Sequence, residues 1–186
     1  MGTLLRPEEV GRRIRQRRLA ARLSVRALAA CTEFSPSFIS QVEHGQASPS
    51  IGSLQRLTAA LGVTLGQLFE SEGETDGLVV KKKHRVRLES GWSHARLEAL
   101  LRERSGRRLE AVLITLRRGG RSGKRPHASD YEEMVFVLRG RVSLELRGKA
   151  ERLGPGDAAS LPAGEKHLFT NPGPARAELL LVTNRF

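Results

Sequence analysis

Length and charge narrow the classes of protein that this sequence can encode. At 186 residues the chain is long enough for one large domain or two small ones. Its formal net charge of +12 predicts a surface that attracts polyanions such as nucleic acid or an anionic membrane. A membrane is the weaker candidate because no apolar run approaches the ~20 residues that a spanning helix needs.

The start of the chain and its cysteine content indicate a cytoplasmic protein. Residues 1–9 do not combine a basic segment with an apolar one, so we expect no export signal. Cys31 is the single cysteine, which excludes an internal disulfide and a thiolate zinc site. Because Cys31 lies among alanines of a predicted helix, we expect it to pack in the core.

The sequence changes character near residue 70. Apolar residues recur at helical spacing from Pro7 to Glu70, as at Leu54, Leu57 and Leu61. From Leu78 onward, short runs of β-branched and aliphatic residues are separated by Gly and Pro, which is typical of strands. We therefore predict a two-domain α+β protein, with an all-α domain at 1–70, a polar linker at 71–77 and an all-β domain at 78–186.

Five helices are predicted in the first domain. The first runs from Pro7 to Ala21, with Glu8 and Glu9 in the turn where the helix dipole favours negative charge. The other four begin after potential N-caps, and the last ends near Phe69. Those caps are Ser24, Ser35, Ser50 and Thr64.

The second and third helices are separated only by the residues around Glu33 and Phe34, so they must cross steeply. The third helix places Ile39 and Val42 on one face and small polar residues on the others. Such a polar face suits a recognition helix, which must enter the major groove and offer hydrogen-bonding groups to base edges.

The runs 23–29, 34–45, 48–54 and 60–65 together resemble the lambda-repressor-like, or XRE-family, helix-turn-helix domain. The resemblance implies a buried ion pair between Arg18 and Glu43. It also implies a positive φ at Glu33, where the family usually has glycine. Gln41 is the residue best placed for a paired contact to adenine.

The resemblance assigns a set of DNA contacts on and around the third helix. Residues at the helix face bases, whereas those around it lie near phosphates, which position the protein without specifying sequence. The residues assigned to bases are Pro36, Ser37, Ser40 and Gln41. Those assigned near phosphates are Ser24, Val25, His44, Gln46 and Ser48, and Ser35 is a further expected DNA contact.

The second domain resembles a cupin, a jelly-roll β-barrel. The spacing of Gly156, Pro162, Gly164, His167 and Asn171 reproduces the second cupin motif at every marked position. The first motif keeps three of its four marked residues, which are His127, Glu133 and Gly140, while Ser129 stands where the second histidine belongs.

Alternation along a strand would send residues 127 and 129 into the barrel together, where Glu133 and His167 would join them. Two imidazoles and a carboxylate can hold Fe, Mn, Ni or Zn as a divalent ion. Because serine is a poor replacement ligand, the alternative is that His127 and His167 bind an organic effector without metal. Ser129 and Tyr131 are further candidate effector contacts.

The combination of the two domains resembles bacterial one-component transcriptional regulators. This implies a homodimer that binds a double-stranded DNA operator, with a small-molecule effector in the cupin domain altering the fit. Repression is preferred because it needs no contact with polymerase, and we predict no catalytic residues.

Two alternatives use the same features differently. A mononuclear metal-dependent oxidase or epoxidase would use His127, Glu133 and His167 as ligands. A nucleic-acid-packaging protein would explain the positive charge, which is spread over both halves, with nine basic against five acidic residues in 1–70 and 23 against 15 in 71–186.

Overall fold

The computed structural model describes residues 4–69, 78–90, 93–101 and 109–185. We call residues 4–69 the helical half and residues 78–185 the β half. The linker expected at 71–77 lies outside the described residues. Five helices form at the predicted places, with ends that differ from the prediction by at most a residue. They are α1 (Pro7–Ala20), α2 (Val25–Thr32), α3 (Pro36–Glu43), α4 (Ile51–Ala60) and α5 (Leu65–Phe69).

Local hydrogen bonds explain why these helices start where they do. The hydroxyls of Ser24, Ser35 and Ser50 accept from backbone N–H groups three residues later, at 3.0–3.1 Å. Glu33 ends α2 in the left-handed region with φ of 51°, as expected for a turn position that usually carries glycine. The N-cap predictions and the strained turn are therefore confirmed.

α1 braces α3 from behind. The guanidinium of Arg18 donates to both oxygens of Glu43, at 2.6 and 2.8 Å, and both side chains are buried. Gly11 allows the two helices to touch, because a Cβ there would lie 2.2 Å from the carbonyl oxygen of Val42. The predicted ion pair is confirmed, and it fixes the orientation of α3.

The β half contains two sheets. The larger has the order β1-β2-β3-β4-β10-β5-β8, and the smaller has the order β7-β6-β9. The strands are β1 (Leu4–Leu5), β2 (Arg87–Ser90), β3 (Ala95–Ala99), β4 (Leu109–Leu116), β5 (Glu132–Arg139), β6 (Val142–Leu146), β7 (Lys149–Leu153), β8 (Ala158–Leu161), β9 (His167–Thr170) and β10 (Ala177–Asn184).

Alternation along the central strands gives the larger sheet an inner and an outer face. Val135, Ile114 and Leu179 are fully buried on the inner face. Glu133 and Thr183 continue the same inner rows toward one end of the sheet. The inner face therefore carries both the core of the β half and, at its end, a group of polar side chains.

The two halves are joined by more than the linker. β1, at the start of the helical half, pairs in parallel with β2 of the larger sheet, which the sequence did not predict. The N–H of Gly52 in α4 donates to the carbonyl of Ser122 at 3.1 Å. The N–H of Leu65 at the start of α5 donates to the Glu110 carboxylate at 2.7 Å. Buried apolar residues of both halves form one continuous cluster.

Two local expectations are wrong. Cys31 is exposed, because α2 buries Leu28, Ala29 and Thr32 and Cys31 lies off that stripe. Residues 127–129 do not form a regular strand, and His127 makes only an isolated bridge with His167. Pro126, which has no N–H to donate, lies just before that bridge.

Within the described ranges, no helix has the length and apolar character that crossing a membrane requires.

Candidate DNA-binding surface and ligand site

The exposed face of α3 carries polar side chains. Ser37, Gln41 and His44 are exposed and lie three or four residues apart, which places them on one side of the helix. Ile39 and Val42 are buried on the opposite side. The Nδ1 of His44 lies 2.7 Å from the carbonyl oxygen of Ser40, which fixes the ring against the helix end.

The remaining predicted DNA contacts surround this stripe. Ser24, Ser35, Pro36 and Gln46 are exposed, and Ser40 is half-buried beside Gln41. The side chains of Ser24 and Ser35 are engaged as helix caps. Val25 and Ser48 are half-buried, and Val25 also packs against the core. The surface is held rigidly, because its helices are capped and braced on α1.

A cavity of about 670 Å³ lies between the two halves. α4 and the end of α2 form one wall, and the polar end of the inner sheet face forms the other. The predicted residues His127, Ser129, Tyr131 and Glu133 line it, while His167 lies behind them with 1% of its surface exposed. The structure therefore brings the residues of both cupin motifs together.

The polar residues of this site form a connected chain. Gln55 of α4 reaches in, and its amide nitrogen donates to Glu133 Oε1 at 2.8 Å. Its amide oxygen lies 3.0 Å from Nε2 of His127. Thr183 also donates to Glu133 Oε1, at 3.0 Å. The other oxygen, Glu133 Oε2, faces His167 Nε2 at 3.7 Å, and neither atom has a hydrogen-bond partner.

Burial governs the charge of this site. It raises the pKa of Glu133 to about 7, against the hydrogen bonds from Thr183 and Gln55, which lower it. Burial, reinforced by the neighbouring His167, lowers the pKa of His127 to about 3. Burial also lowers the pKa of His167. Near neutral pH both imidazoles are uncharged, and Glu133 exchanges a proton in that range.

The comparisons with known proteins agree with both halves. Residues 9–70 match the model of a helix-turn-helix domain, and residues 112–183 match that of a cupin domain. The HTH-type transcriptional regulator PuuR of Escherichia coli is 27% identical over 161 residues, covering 87% of this chain and 86% of that protein.

The chain therefore combines a helix-turn-helix domain with a C-terminal cupin domain, and it is similar along most of its length to a protein with the name of a transcriptional regulator.

Solved structures support the fold of this helix-turn-helix cupin protein. An HTH_3 family transcriptional regulator from Vibrio cholerae matches 96% of each chain with a TM-score of 0.75 at 20% identity. An RmlC-like cupin from Shewanella frigidimarina matches 60% of this chain and 93% of its own with a TM-score of 0.51 at 17% identity. At these identities the matches establish architecture alone.

The arrangement around Gln55 does not fit a metal ion. Among the described residues, no group of three or more His, Cys, Asp or Glu side chains is placed to hold one. Glu133 Oε2 and His167 Nε2 have no hydrogen-bond partner and face each other at 3.7 Å. His127, the third expected ligand, instead uses Nε2 in its contact with Gln55. Since an amide oxygen only accepts, His127 Nε2 carries the proton and has no lone pair to give a metal.

Sequence reasoning missed Gln55 and its neighbour Gly52. Gln55 belongs to a helix of the DNA-binding domain, far in sequence from both cupin motifs. Gly52 lets α4 approach the site, because a Cβ there would lie 2.5 Å from the His127 ring. A glycine early in a predicted helix, where it costs stability, was the available signal.

Proposed function

We propose that this protein binds a specific DNA operator through α3 and that an effector in the cavity between its halves changes operator affinity. The observation that carries the proposal is the exposed polar stripe of Ser37, Gln41 and His44 on a helix whose other face is locked to α1. A recognition helix needs such a face, presented rigidly, because its side chains must meet base edges at fixed positions.

Within that surface, Gln41 takes the central role. Its exposed amide can both donate and accept, which matches the paired contact that glutamine makes with adenine. Pro36, Ser37 and Ser40 are the other proposed base contacts, and Ser35 is a further proposed DNA contact. Ser24, Val25, His44, Gln46 and Ser48 flank the helix as phosphate contacts, which set the register on the duplex.

The effector site is the cavity lined by His127, Ser129, Tyr131 and Glu133. Its place between the halves supports a sensing role, since anything bound there touches α4 of the DNA-binding domain as well as the cupin sheet. Coupling requires that the effector bind more tightly to one domain arrangement than to the other. We expect that operator binding represses transcription. We also expect that the protein acts in the cytoplasm.

A homodimer would present two recognition helices to a palindromic operator. The outer face of the larger sheet supports this, because Leu109, Met134 and Leu138 are exposed there at 51, 42 and 47%. Leu109 and Met134 lie toward one end of that face and Leu138 toward the other, and exposed apolar side chains on a sheet favour burial against a second copy. Sedimentation of the full chain should give a dimer, and Leu138→Lys should shift it toward monomer.

A bound divalent metal remains a separate prediction, with His127, Glu133 and His167 as its ligands. Metal binding would require His127 to give up its contact with Gln55. The oxidase alternative needs the same change, and the curated relative bears the name of a transcriptional regulator, so the regulator is the better supported function.

Selection of genomic fragments by the purified full chain, at a stated salt concentration, tests the proposal. We expect recovery of a palindromic sequence whose preferred bases change when Gln41 is replaced by alanine. Gln16→Ala, an exposed glutamine on α1, serves as the matched control. Fragments bound without preference by all three proteins would instead favour a packaging protein.

A further inference from the structure

Gln55 occupies a position that belongs to neither domain alone. It projects from α4 of the DNA-binding domain, yet both ends of its amide are held by residues of the cupin motifs. The amide nitrogen donates to Glu133 at 2.8 Å and the amide oxygen accepts from His127 at 3.0 Å. The amide therefore uses hydrogen-bonding capacity on both cupin residues that a ligand in the site would need.

The backbone of α4 is fitted to this contact. Gly52, one turn before Gln55, lies against the His127 ring so closely that a Cβ would come within 2.5–2.7 Å of three ring atoms. Its N–H donates to Ser122 at 3.1 Å. The approach of α4 to the site is therefore a packed, hydrogen-bonded arrangement rather than one long side chain reaching across open space.

Arg56, the next residue, ties α4 to the helix-turn-helix. Its guanidinium donates to the carbonyl of Thr32, the last residue of α2, and pairs with Glu33 at 3.3 Å. It also stacks over the Phe34 ring at 4.3 Å. Thr32, Glu33 and Phe34 form the turn that leads into α3. A displacement of Gln55 therefore acts on the segment that orients the recognition helix.

We propose that Gln55 is an internal ligand of the cupin site, so that filling this site and seating α4 on it exclude each other. The inference rests on the proposed sensing function and names the residue through which sensing occurs. An occupant that takes His127 Nε2 or the Glu133 carboxylate must displace the amide. Displacement releases α4 and, through Arg56, alters the turn before α3.

Co²⁺ is a suitable probe because its visible absorption reports coordination by protein nitrogen and oxygen atoms. We compare Co²⁺ affinity in wild type, Gln55→Ala and Gln16→Ala by titration of the full chain. Removal of an internal competitor should tighten binding about tenfold or more in Gln55→Ala only. Adding His167→Ala to Gln55→Ala should abolish the gain, which places the ion in the cupin site.

Hydrogen exchange of the wild type supplies the second readout. At saturating Co²⁺ the amides of residues 51–60 should exchange faster, while those of α1 should not change. Equal Co²⁺ affinity in wild type and Gln55→Ala, including no binding by either, would overturn the proposal. Saturation of the wild type without faster exchange in α4 would also overturn it, because the helix would then remain seated over a filled site.

Operator affinity separates this inference from the sensing function on which it rests. If Gln55→Ala gains Co²⁺ affinity and α4 is released, but operator affinity never responds to occupation, then the internal ligand is real and the sensing proposal fails. If an occupant changes operator affinity equally in wild type and Gln55→Ala, sensing stands and Gln55 is not its route.

Discussion

Both halves of the protein bury charged or titratable side chains, but they satisfy them differently. In the helical half, Arg18 and Glu43 meet in two charge-assisted hydrogen bonds. In the β half, Glu133 and His167 are equally buried, yet each leaves an atom without a partner. The hydrogen bonds between Arg18 and Glu43 thus satisfy both charged groups, whereas the hydrogen-bonding capacity of Glu133 and His167 is only partly used.

This difference separates a structural interaction from a site. A buried ion pair with both partners in place fixes geometry, and here it holds the recognition helix on α1. Buried polar atoms without partners cost stability and persist where function requires them. The helical half therefore presents a finished surface to an external partner, whereas the β half keeps an interior place for one.

Removing one partner of the buried ion pair should have the largest effect on the stability of the protein. Glu43→Ala leaves Arg18 buried without its counter-charge, and we expect a loss of roughly 3–5 kcal/mol in the free energy of unfolding. Chemical denaturation of the full chain measures it. Replacing both residues together, as Arg18→Met with Glu43→Leu, should recover most of the loss because no uncompensated charge remains.

The matched control is Glu9→Ala. Glu9 is part of a more exposed pair of contacts with Arg12 and Arg13, whose hydrogen bonds lower its pKa to about 2. Its removal should cost less than about 1 kcal/mol. Equal losses for Glu43→Ala and Glu9→Ala would contradict a structural role for the buried pair.

A smaller effect is expected where the two halves touch. Gly52→Ala forces a methyl group against the His127 ring, which should destabilise the protein by roughly 1–3 kcal/mol despite alanine's better helix propensity. Gly66→Ala in α5 is the matched control, because a Cβ there meets nothing closer than 3.4 Å. Thermal unfolding measures the stability of both variants relative to wild type. If Gly52→Ala were as stable as wild type, α4 would not pack on the cupin site as described.

The smallest expected effect is a change in the free energy of unfolding with pH. The folded protein raises the pKa of Glu133 from 4.5 to about 7 by burial, so it binds a proton that the unfolded chain has released. Stability from this group is therefore greatest below pH 4.5 and is lost as pH rises through 7. Between pH 6 and pH 8 the loss should be on the order of 1 kcal/mol.

Glu133→Gln isolates that contribution, because it keeps the shape of the side chain and cannot ionise. Its free energy of unfolding should fall less than that of the wild type between pH 6 and pH 8. The lowered pKa values of His127 and His167 act in the opposite direction, since unfolding there takes up protons below about pH 6.5. Parallel pH profiles for the two proteins would show that Glu133 is already ionised in the folded state.

Local sequence signals predicted much of this molecule. The helices start after Ser24, Ser35 and Ser50 because a serine hydroxyl caps a helix through its own nearest amides. The cupin spacing likewise predicted that His127, Glu133 and His167 would lie together. Strand alternation accounts for Glu133 in β5 and His167 in β9, whereas His127 is placed by its isolated bridge to His167.

The relation between the halves could not be predicted in the same way. Gln55 reaches the cupin site only because Gly52 permits close packing between segments some 70 residues apart, and no periodicity encodes such a contact. The pairing of β1 with β2 is of the same kind. Exposure of Cys31 was missed because α2 is rich in small residues, so its apolar stripe was hard to place from the sequence.

The proposed function depends on recognition of DNA sequence by α3. The most direct test measures the affinity of wild type, Gln41→Ala and Gln16→Ala for a selected operator and for unrelated DNA at one salt concentration. Loss of a paired base contact should lower the ratio of specific to non-specific affinity by about 5- to 150-fold in Gln41→Ala, with non-specific affinity unchanged. An unchanged ratio, or an equal fall on both DNAs, would contradict sequence reading by this helix.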